Sequence, residues 1–387
     1  MGQGQVVITH RGAERLQLGH LWVYRSDVRS AEAEPGDVVR VADERGRYLG
    51  RAFFSDRSQI VLRLLTREDV EVDRAFLTAR IRAAVEYRSK VVAGTEAYRM
   101  VYSEADLLPS LIVDRYADCL AIQTLSQATD RRRQEITDIL VELFSPRGII
   151  ERNDPRVRQL EGLEQRVSVL YGDVPEDLLA TMNGVRFHFD LTHGQKTGAF
   201  LDQRENHLAA AQYAFGEALD CFTYNGGFAL IMASRCANIE AIDLSAAAVE
   251  AGRRNQETNS VANVTFREAN AFDVLKQYDD AGRRFDTIIL DPPAFAKNRT
   301  SVPAARRGYK EINLRALKLL RPGGFLVTSS CSHHIPEHLF IEIVADAATD
   351  AHRTTVVVER RTQSRDHPIL LTMPETHYIK CFIFRVL

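Results

Sequence analysis

Cys331 closes the stretch Thr328-Ser329-Ser330-Cys331-Ser332-His333-His334, directly after the apolar run Phe325-Leu326-Val327. A second run, Thr287-Ile288-Ile289-Leu290, ends in Asp291-Pro292-Pro293-Ala294-Phe295. If both runs are parallel strands, Asp291 and Cys331 emerge at the carboxyl edge of one sheet, where open α/β sheets bind ligands. A thiol facing a carboxylate and an aromatic ring suits attack on a nucleobase. Carbon 5 of cytosine is a poor nucleophile, and a thiolate adding to carbon 6 turns it into an enamine carbon able to attack a sulfonium methyl. Asp291 would hold the exocyclic amine or N3 of the base as charge develops. Pro292 and Phe295 would meet a base drawn from its own stack, and His333 and His334 would lower the thiol pKa or move protons. Cys221 and Cys381, set among apolar neighbours, suit ordinary buried thiols, whereas Cys331 has polar residues on both sides.

A methyl donor needs a site on the same edge. Asp220-Cys221-Phe222-Thr223-Tyr224-Asn225-Gly226-Gly227-Phe228 follows an expected strand but is not G-x-G-x-x-G. A pyrophosphate calls for glycine-rich backbone donors at a helix N-terminus. S-adenosylmethionine has no phosphate and carries a positive sulfonium, so acidic residues and fewer glycines suit it. Asp243, followed by Leu244 and Ser245, ends the next expected strand about 20 residues on, where a carboxylate can take both ribose hydroxyls. Asn270, followed by Ala271, ends the third and is placed to meet the adenine edge. Their order points to S-adenosylmethionine as cofactor. Gly194-Gln195-Lys196-Thr197-Gly198 lacks the Gly-Lys pair of a Walker loop, which argues against ATP hydrolysis.

These residues must be positioned by a sheet. From about 190 onward the pattern alternates strand and helix. Strands are expected at 218–222, 239–243, 264–268, 285–291, 324–329, 354–359 and 378–386, with helices such as 246–258 and 309–320 between them. The fold class is therefore α/β, with a mostly parallel, doubly wound seven-stranded sheet at the C-terminal end. Before it, short strands at 38–41, 48–54 and 60–65 with a turn at Asp43-Glu44-Arg45-Gly46 predict a small N-terminal β-barrel. A central α/β module follows. It has a helix over 72–92 with an apolar face of Val72, Phe76, Ala79, Ala83 and Tyr87. It also has strand-like runs at 110–113 and 119–124, a helix over 131–143, and an Asn183-Gly184 hairpin leading into 186–191. The expected division is 1–70, 71–185 and 186–387.

At 387 residues with 45% hydrophobic and 26% charged content, the chain has the make-up of a multidomain globular protein. No apolar stretch reaches a membrane span and Met1 to Gln5 lacks a signal-peptide core, so a cytoplasmic location and no membrane partner are expected. The five cysteines are scattered without a C-x-x-C pair, which argues against a zinc site or a disulfide framework. The net charge of −2 argues against wholesale nucleic-acid binding but leaves room for a local basic face. Only seven of the 50 basic residues are lysine, and arginine suits phosphate contacts and base stacking.

Taken together, the chain resembles the RlmI-like family, the PUA-domain-containing, S-adenosylmethionine-dependent cytosine-C5 methyltransferases of bacterial large-subunit (23S) ribosomal RNA. The resemblance covers nearly the whole length. It runs through Gly19-His20-Leu21-Trp22-Val23-Tyr24, Glu104 to Tyr116, Gly194 to Arg204, the Asp291-Pro-Pro-x-Phe motif, Arg307-Gly308-Tyr309-Lys310 and Ser330-Cys331-Ser332. It implies that the N-terminal barrel is PUA-like and binds RNA, and that the last segment is a class I (Rossmann-like) methyltransferase domain. It further implies that Cys331 is the nucleophile and that Lys196, Phe200 and Arg204 enclose the donor or position the base. Ribosomal RNA, naked or in an assembly intermediate, would be the partner, and a homodimer is expected by analogy. The chain departs from related patterns in three places. Ala294 stands where many RNA cytosine-5 methyltransferases carry a second cysteine used in product release. Leu107 stands where the central motif commonly has Gly, and Asn270 where the family often has Asp.

Two other functions fit the same motifs. One is an RNA methyltransferase acting elsewhere, such as guanine N7, which shares the Lys-Thr-Gly-x-Phe-x-Asp loop and the Asp-Pro-Pro motif but needs no thiol. The other is a donor-binding ribosome-assembly factor with little catalysis.

Overall fold

A computed structural model describes residues 4–387. The chain forms two compact units. One is built from the residues up to Ala180 together with Phe189–Leu201 and Arg365–Thr376. The other comprises Thr181–His188, Asp202–Ser364 and His377–Leu387. Among the described residues no helix is long and apolar enough to cross a membrane.

The first unit holds two sheets. The expected barrel segment is a six-stranded sheet whose order runs Trp22–Tyr24, Ile60–Thr66, Tyr48–Phe54, Val38–Asp43, Gln5–Ile8, Val28–Glu32. Its three central strands and the turn at Asp43–Gly46 lie where alternation places them, and the turn closes with the Gly46 amide on the Asp43 carbonyl at 2.9 Å. The second sheet is five-stranded, ordered Arg166–Gly172, Gly148–Asn153, Cys119–Thr124, Leu111–Tyr116, Ala97–Tyr102. Trp22 and Glu104, from two of the motifs above, bond directly, indole Nε1 to Oε1 at 2.9 Å. Leu107 adopts φ +55. An L side chain is strained there and glycine is not, which gives the usual glycine a physical reason.

One expectation here is corrected. A helix does occupy Arg74–Val91, but its buried face is Leu77, Ile81, Ala84 and Arg88, while Ala79, Ala83 and Tyr87 are exposed. The face is shifted by one position because Arg88, wholly buried, bonds the carbonyls of Arg99 (3.1 Å) and Ala84 (3.2 Å) and the Asp106 carboxylate (2.5 Å). A charged residue on the inner face hides the apolar period. The Arg131-Arg132-Arg133 run is structural, with Arg131 pairing with Asp37 at 2.8 Å and Arg132 donating to the Gly36 carbonyl at 2.8 Å.

The second unit carries the seven-stranded sheet. Its strands are β1 (Gly216–Cys221), β2 (Cys236–Asp243), β3 (Val264–Glu268), β4 (Phe285–Leu290), β5 (Leu320–Ser330), β6 (Thr355–Arg361) and β7 (Lys380–Val386). The order is β3-β2-β1-β4-β5-β7-β6. The first five pair in parallel, whereas β7 runs antiparallel to both β5 and β6. The strand order reverses beside β1, and the carboxyl ends of β1 and β4 on either side of that switch point are where open α/β sheets bind ligands. The core beneath is apolar and nearly dry, with Leu219, Ile288, Leu290, Leu326, Ile312 and Phe382 all at 0% exposure.

Candidate active site

β4 and β5 are neighbouring parallel strands with Leu290 opposite Thr328. The chain therefore leaves both at the same edge, and Cys331 Sγ lies 4.0 Å from the Pro292 carbonyl oxygen. What fixes that approach is Tyr309, from the buried face of the Val302–Leu319 helix. Ser330 Oγ donates to the Tyr309 hydroxyl at 3.0 Å, and the Tyr309 and Ser332 hydroxyls are 2.9 Å apart. Ser332 Oγ also accepts the Ala296 amide at 3.1 Å, which ties the Cys331 loop to the Asp-Pro-Pro loop. Both serines are fully buried and Cys331 between them is not. Gly308 allows this packing, since a Cβ there would come within 3.2 Å of the Phe295 ring. Two motifs far apart in sequence thus make one clamp. Tyr309→Phe keeps the ring and strands the Ser330 hydroxyl. Expected results are a stability loss of about 1–2 kcal/mol for the unsatisfied buried donor and a roughly tenfold fall in turnover as the loop loosens. Thermal melts and steady-state kinetics check both.

Phe295, expected to meet a base, is half-buried in an aromatic cluster, 4.6 Å from Tyr309 and 5.9 Å from Phe272 between ring centroids. His333 and His334 contact one another edge to face at 5.5 Å. Asp291 Oδ1 accepts from Gln203 Nε2 at 2.8 Å, and Gln203 Oε1 accepts from Asn206 at 2.6 Å. Sequence reasoning does not single out Gln203, although it sits inside the Asp202-Gln203-Arg204 motif, whose Asp202 takes the Tyr378 hydroxyl at 2.6 Å. Arg204 is buried, with its guanidinium 3.6 Å from Glu205.

The loop after β1 is tightly wound, with positive φ at Phe222 (+65), Tyr224 (+52) and Gly226 (+90). Such strain in non-glycine residues gathers where a loop is shaped for a ligand. Asn225 is buried, its carbonyl held by Asn255 Nδ2 at 3.0 Å. Asp220 is fully buried. Its Oδ2 accepts from Thr223 Oγ1 (2.6 Å) and from the Ala229 amide (3.1 Å), while Oδ1 has no hydrogen-bond partner among the described residues. Burial lifts the Asp220 carboxyl to about 7. Nearby Asp291 and Asp243 push the same way, and the Thr223 and Ala229 bonds pull against them. Asp243 ends β2 with Oδ2 on the Tyr224 amide and Oδ1 on the Ser245 amide, each at 2.9 Å, so it keeps spare acceptor lone pairs. Ser245 caps the Ala246–Thr258 helix, and Leu244 beside it stands 71% exposed, an apolar surface at the sheet edge. Asn270 is exposed and caps the Ala271–Asp280 helix, its Oδ1 on the Phe272 amide at 2.9 Å.

A buried carboxylate with an orphaned oxygen, Asp220, with the charges of Asp291 and Asp243 acting on it, fits a cationic nucleoside better than an anion. Lys196 and Phe200 belong to the first unit, where the Lys196 ammonium sits 4.5 Å over the Phe200 ring. Thr197 anchors that loop, donating to Asp114 at 2.6 Å, while Arg99 grips the same carboxylate with two bonds of 2.8 and 2.9 Å.

Sequence reasoning misses Lys380 as well. It begins β7 opposite Ser330, is 4% exposed, and donates to the carbonyls of Ser332 (2.7 Å) and Tyr378 (2.9 Å). Lysine is almost never buried without a reason, but one lysine on an apolar strand gives no periodic signal.

The chain is similar to known proteins along nearly its whole length. Residues 6–67 match a PUA-like domain and residues 164–384 an S-adenosylmethionine-dependent methyltransferase. The chain is 41% identical to ribosomal RNA large subunit methyltransferase I of Shewanella amazonensis, covering 96% of both proteins. It is 38% identical to the protein of that name from Tolumonas auensis, covering 95% of this chain and 96% of the relative. A structure described as a SAM-dependent methyltransferase from Streptococcus mutans superposes with a TM-score of 0.83 at 19% identity, covering 99% of this chain and all of the other. Another methyltransferase structure, complexed with SAH, gives 0.85 at 20% identity with the same coverage.

Proposed function

The chain belongs to the family of PUA-domain, S-adenosylmethionine-dependent methyltransferases that includes ribosomal RNA large subunit methyltransferase I, and from that membership we propose that it methylates carbon 5 of a cytosine in large-subunit (23S) ribosomal RNA through a covalent Cys331 adduct. The observation that carries the proposal is the half-exposed Cys331 thiol, set between two locked serines and beside the Asp-Pro-Pro loop.

The donor is held by the Asp220, Phe222, Tyr224, Asn225 and Gly226 loop, with Asp291 on the next strand. Asp243 takes the ribose hydroxyls, with Leu244 and Ser245 beside it, and Asn270 and Ala271 border the adenine. The same reading gives Lys196, Phe200 and Arg204 a part in enclosing the donor or positioning the base. S-adenosylmethionine, when bound, supplies the methyl group as an electrophilic sulfonium carbon.

The Cys331 thiolate adds to carbon 6 of the cytosine, the 5,6 double bond opens, and carbon 5 becomes the nucleophile. Asp291, oriented by Gln203, accepts a hydrogen bond from the exocyclic amine or meets N3 as charge builds on the ring. Pro292 and Phe295 border the base. Once carbon 5 carries the methyl group, its proton passes to water at the site, the C5–H electron pair re-forms the 5,6 double bond and the carbon–sulfur bond breaks, restoring the aromatic ring and the thiolate. With Ala294 after the Pro-Pro pair, no second cysteine at that position assists the last step. The PUA-like segment contributes RNA affinity, and the proposed division remains 1–70 for this segment, 71–185 for the central module and 186–387 for the methyltransferase domain.

Labelled donor and 23S rRNA from a strain lacking the gene test this reading. 5-Methylcytidine at one mapped nucleotide is expected. A labelled 7-methylguanosine, or no labelled nucleoside, would overturn it.

A further inference from the structure

We propose that Lys380 is the positioning residue that keeps Cys331 in its thiolate form, its ammonium pinned beside the thiol by two backbone carbonyls. This rests on the reading of Cys331 as nucleophile and adds the group that activates it.

The geometry comes from β7. Because β7 pairs antiparallel with β5, Lys380 stands opposite Ser330, one residue before Cys331. Its Nζ is bonded to the carbonyl of Ser332, one residue after Cys331, at 2.7 Å and to that of Tyr378 at 2.9 Å. The ammonium therefore brackets the cysteine along the backbone and cannot swing away without losing both acceptors. Among the described residues no carboxylate lies within ion-pairing distance of it. A buried cation satisfied only by carbonyls still needs an opposite charge, and the negative charges that act on Lys380 are those of Cys331 and Glu337. Glu337, which starts the Glu337–Asp350 helix, is itself paired with Arg360.

The other titratable groups around the pair are Tyr309, Asp291, His333 and His334. Tyr309 faces Cys331 from the Val302–Leu319 helix and is neutral, its phenol pushed up by burial and in lesser measure by charge on Cys331. Asp291 on the adjoining loop is an acid. His333 and His334 follow Cys331 in the same loop, one exposed and one half-exposed. Burial lowers Lys380 to about 8 even though Cys331 and Glu337 raise it, so the ammonium persists at neutral pH and is lost just above it. A cation beside a thiol favours the thiolate. The thiol proton goes to solvent, which reaches the half-exposed Cys331.

The other four cysteines supply an internal control. All are buried, and burial pushes Cys119 and Cys236 up to about 11, Cys381 to about 12 and Cys221 well above the free-thiol range.

The test is the pH profile of iodoacetamide alkylation, followed peptide by peptide in the intact protein without RNA. Cys331 is expected to react first, with a midpoint below the free-thiol value of about 8.5. Lys380→Met should raise that midpoint by about one unit, a roughly tenfold slower alkylation at pH 7. Lys380→Arg should restore most of the rate. A midpoint at or above 8.5 in the unaltered protein, or an unchanged profile in a folded Lys380→Met protein, overturns the proposal; the first readout needs no variant to fold. Alkylation reports the thiol alone. Methylation of a different base would therefore leave this result standing, and failure of the profile would leave the nucleoside assignment untouched.

Discussion

Cys331→Ala is expected to reduce methyl transfer to 23S rRNA by roughly 10⁴-fold or more, because the adduct is what makes carbon 5 reactive and no neighbouring group replaces it. S-adenosylmethionine affinity should stay within about twofold. Most of the proposed donor residues belong to the loops after β1, β2 and β3, and the loss of the thiol leaves the Ser330–Tyr309–Ser332 clamp and the Asp291–Gln203 bond in place. The substitution removes one sulfur from a half-exposed site, so stability should change by less than about 1 kcal/mol. Single-turnover assays with labelled donor, calorimetric donor titration and a thermal melt separate the three effects. Normal turnover by the variant would remove the cytosine mechanism and favour an activity that needs no thiol, such as methylation of guanine N7. Lost donor binding would instead show that Cys331 shapes the donor pocket.

Much of this site is legible in the sequence because its elements follow simple periods. The short apolar runs Ile288–Leu290 and Phe325–Val327 that lead to Asp291 and Cys331 lie between turn and polar residues, as segments of buried parallel strands do. The Ala246–Thr258 helix and the Val264–Glu268 strand fall on their expected bounds. The antiparallel course of β7 is not legible, since an apolar strand has the same pattern in either direction. Lys380 is lost with it, because its value comes from register opposite Ser330 rather than from any local spacing. Tyr309 and Gln203 lie inside recognisable motifs, yet their roles are to hold other side chains, and sequence spacing does not encode such contacts. The Arg74–Val91 helix shows the converse failure: a buried arginine on the inner face makes the wrong set of small residues look like the core stripe.

Asp220→Asn should make the protein more heat-stable and a poorer donor binder at once. The substitution is isosteric. The retained oxygen keeps the bonds from Thr223 and Ala229, and the new amide replaces an Oδ1 that has no partner among the described residues. The sign follows from the raised carboxyl. Below about pH 4 the acid is neutral both folded and unfolded, so the variant gains nothing. From there to about 7, its value in the fold, the unfolded chain ionises while the folded one resists, and the native protein carries a growing penalty. Above 7 the penalty is constant, at most about 4 kcal/mol for a shift of some three units. The advantage of Asp220→Asn should therefore be largest at pH 8, where a realised gain of about 2–3 kcal/mol corresponds to a melting rise of roughly 4–10 °C, and should vanish near pH 4. Donor affinity should fall by about tenfold or more at pH 8, since the proposed donor site loses a negative charge that favours a cation. Melting curves at pH 4, 6 and 8 and donor titrations at pH 8 check the two halves. Stabilisation without loss of donor binding would show that the Asp220 charge has no part in holding the donor. Equal melting temperatures for the two proteins at all three pH values would show that its burial costs the fold nothing.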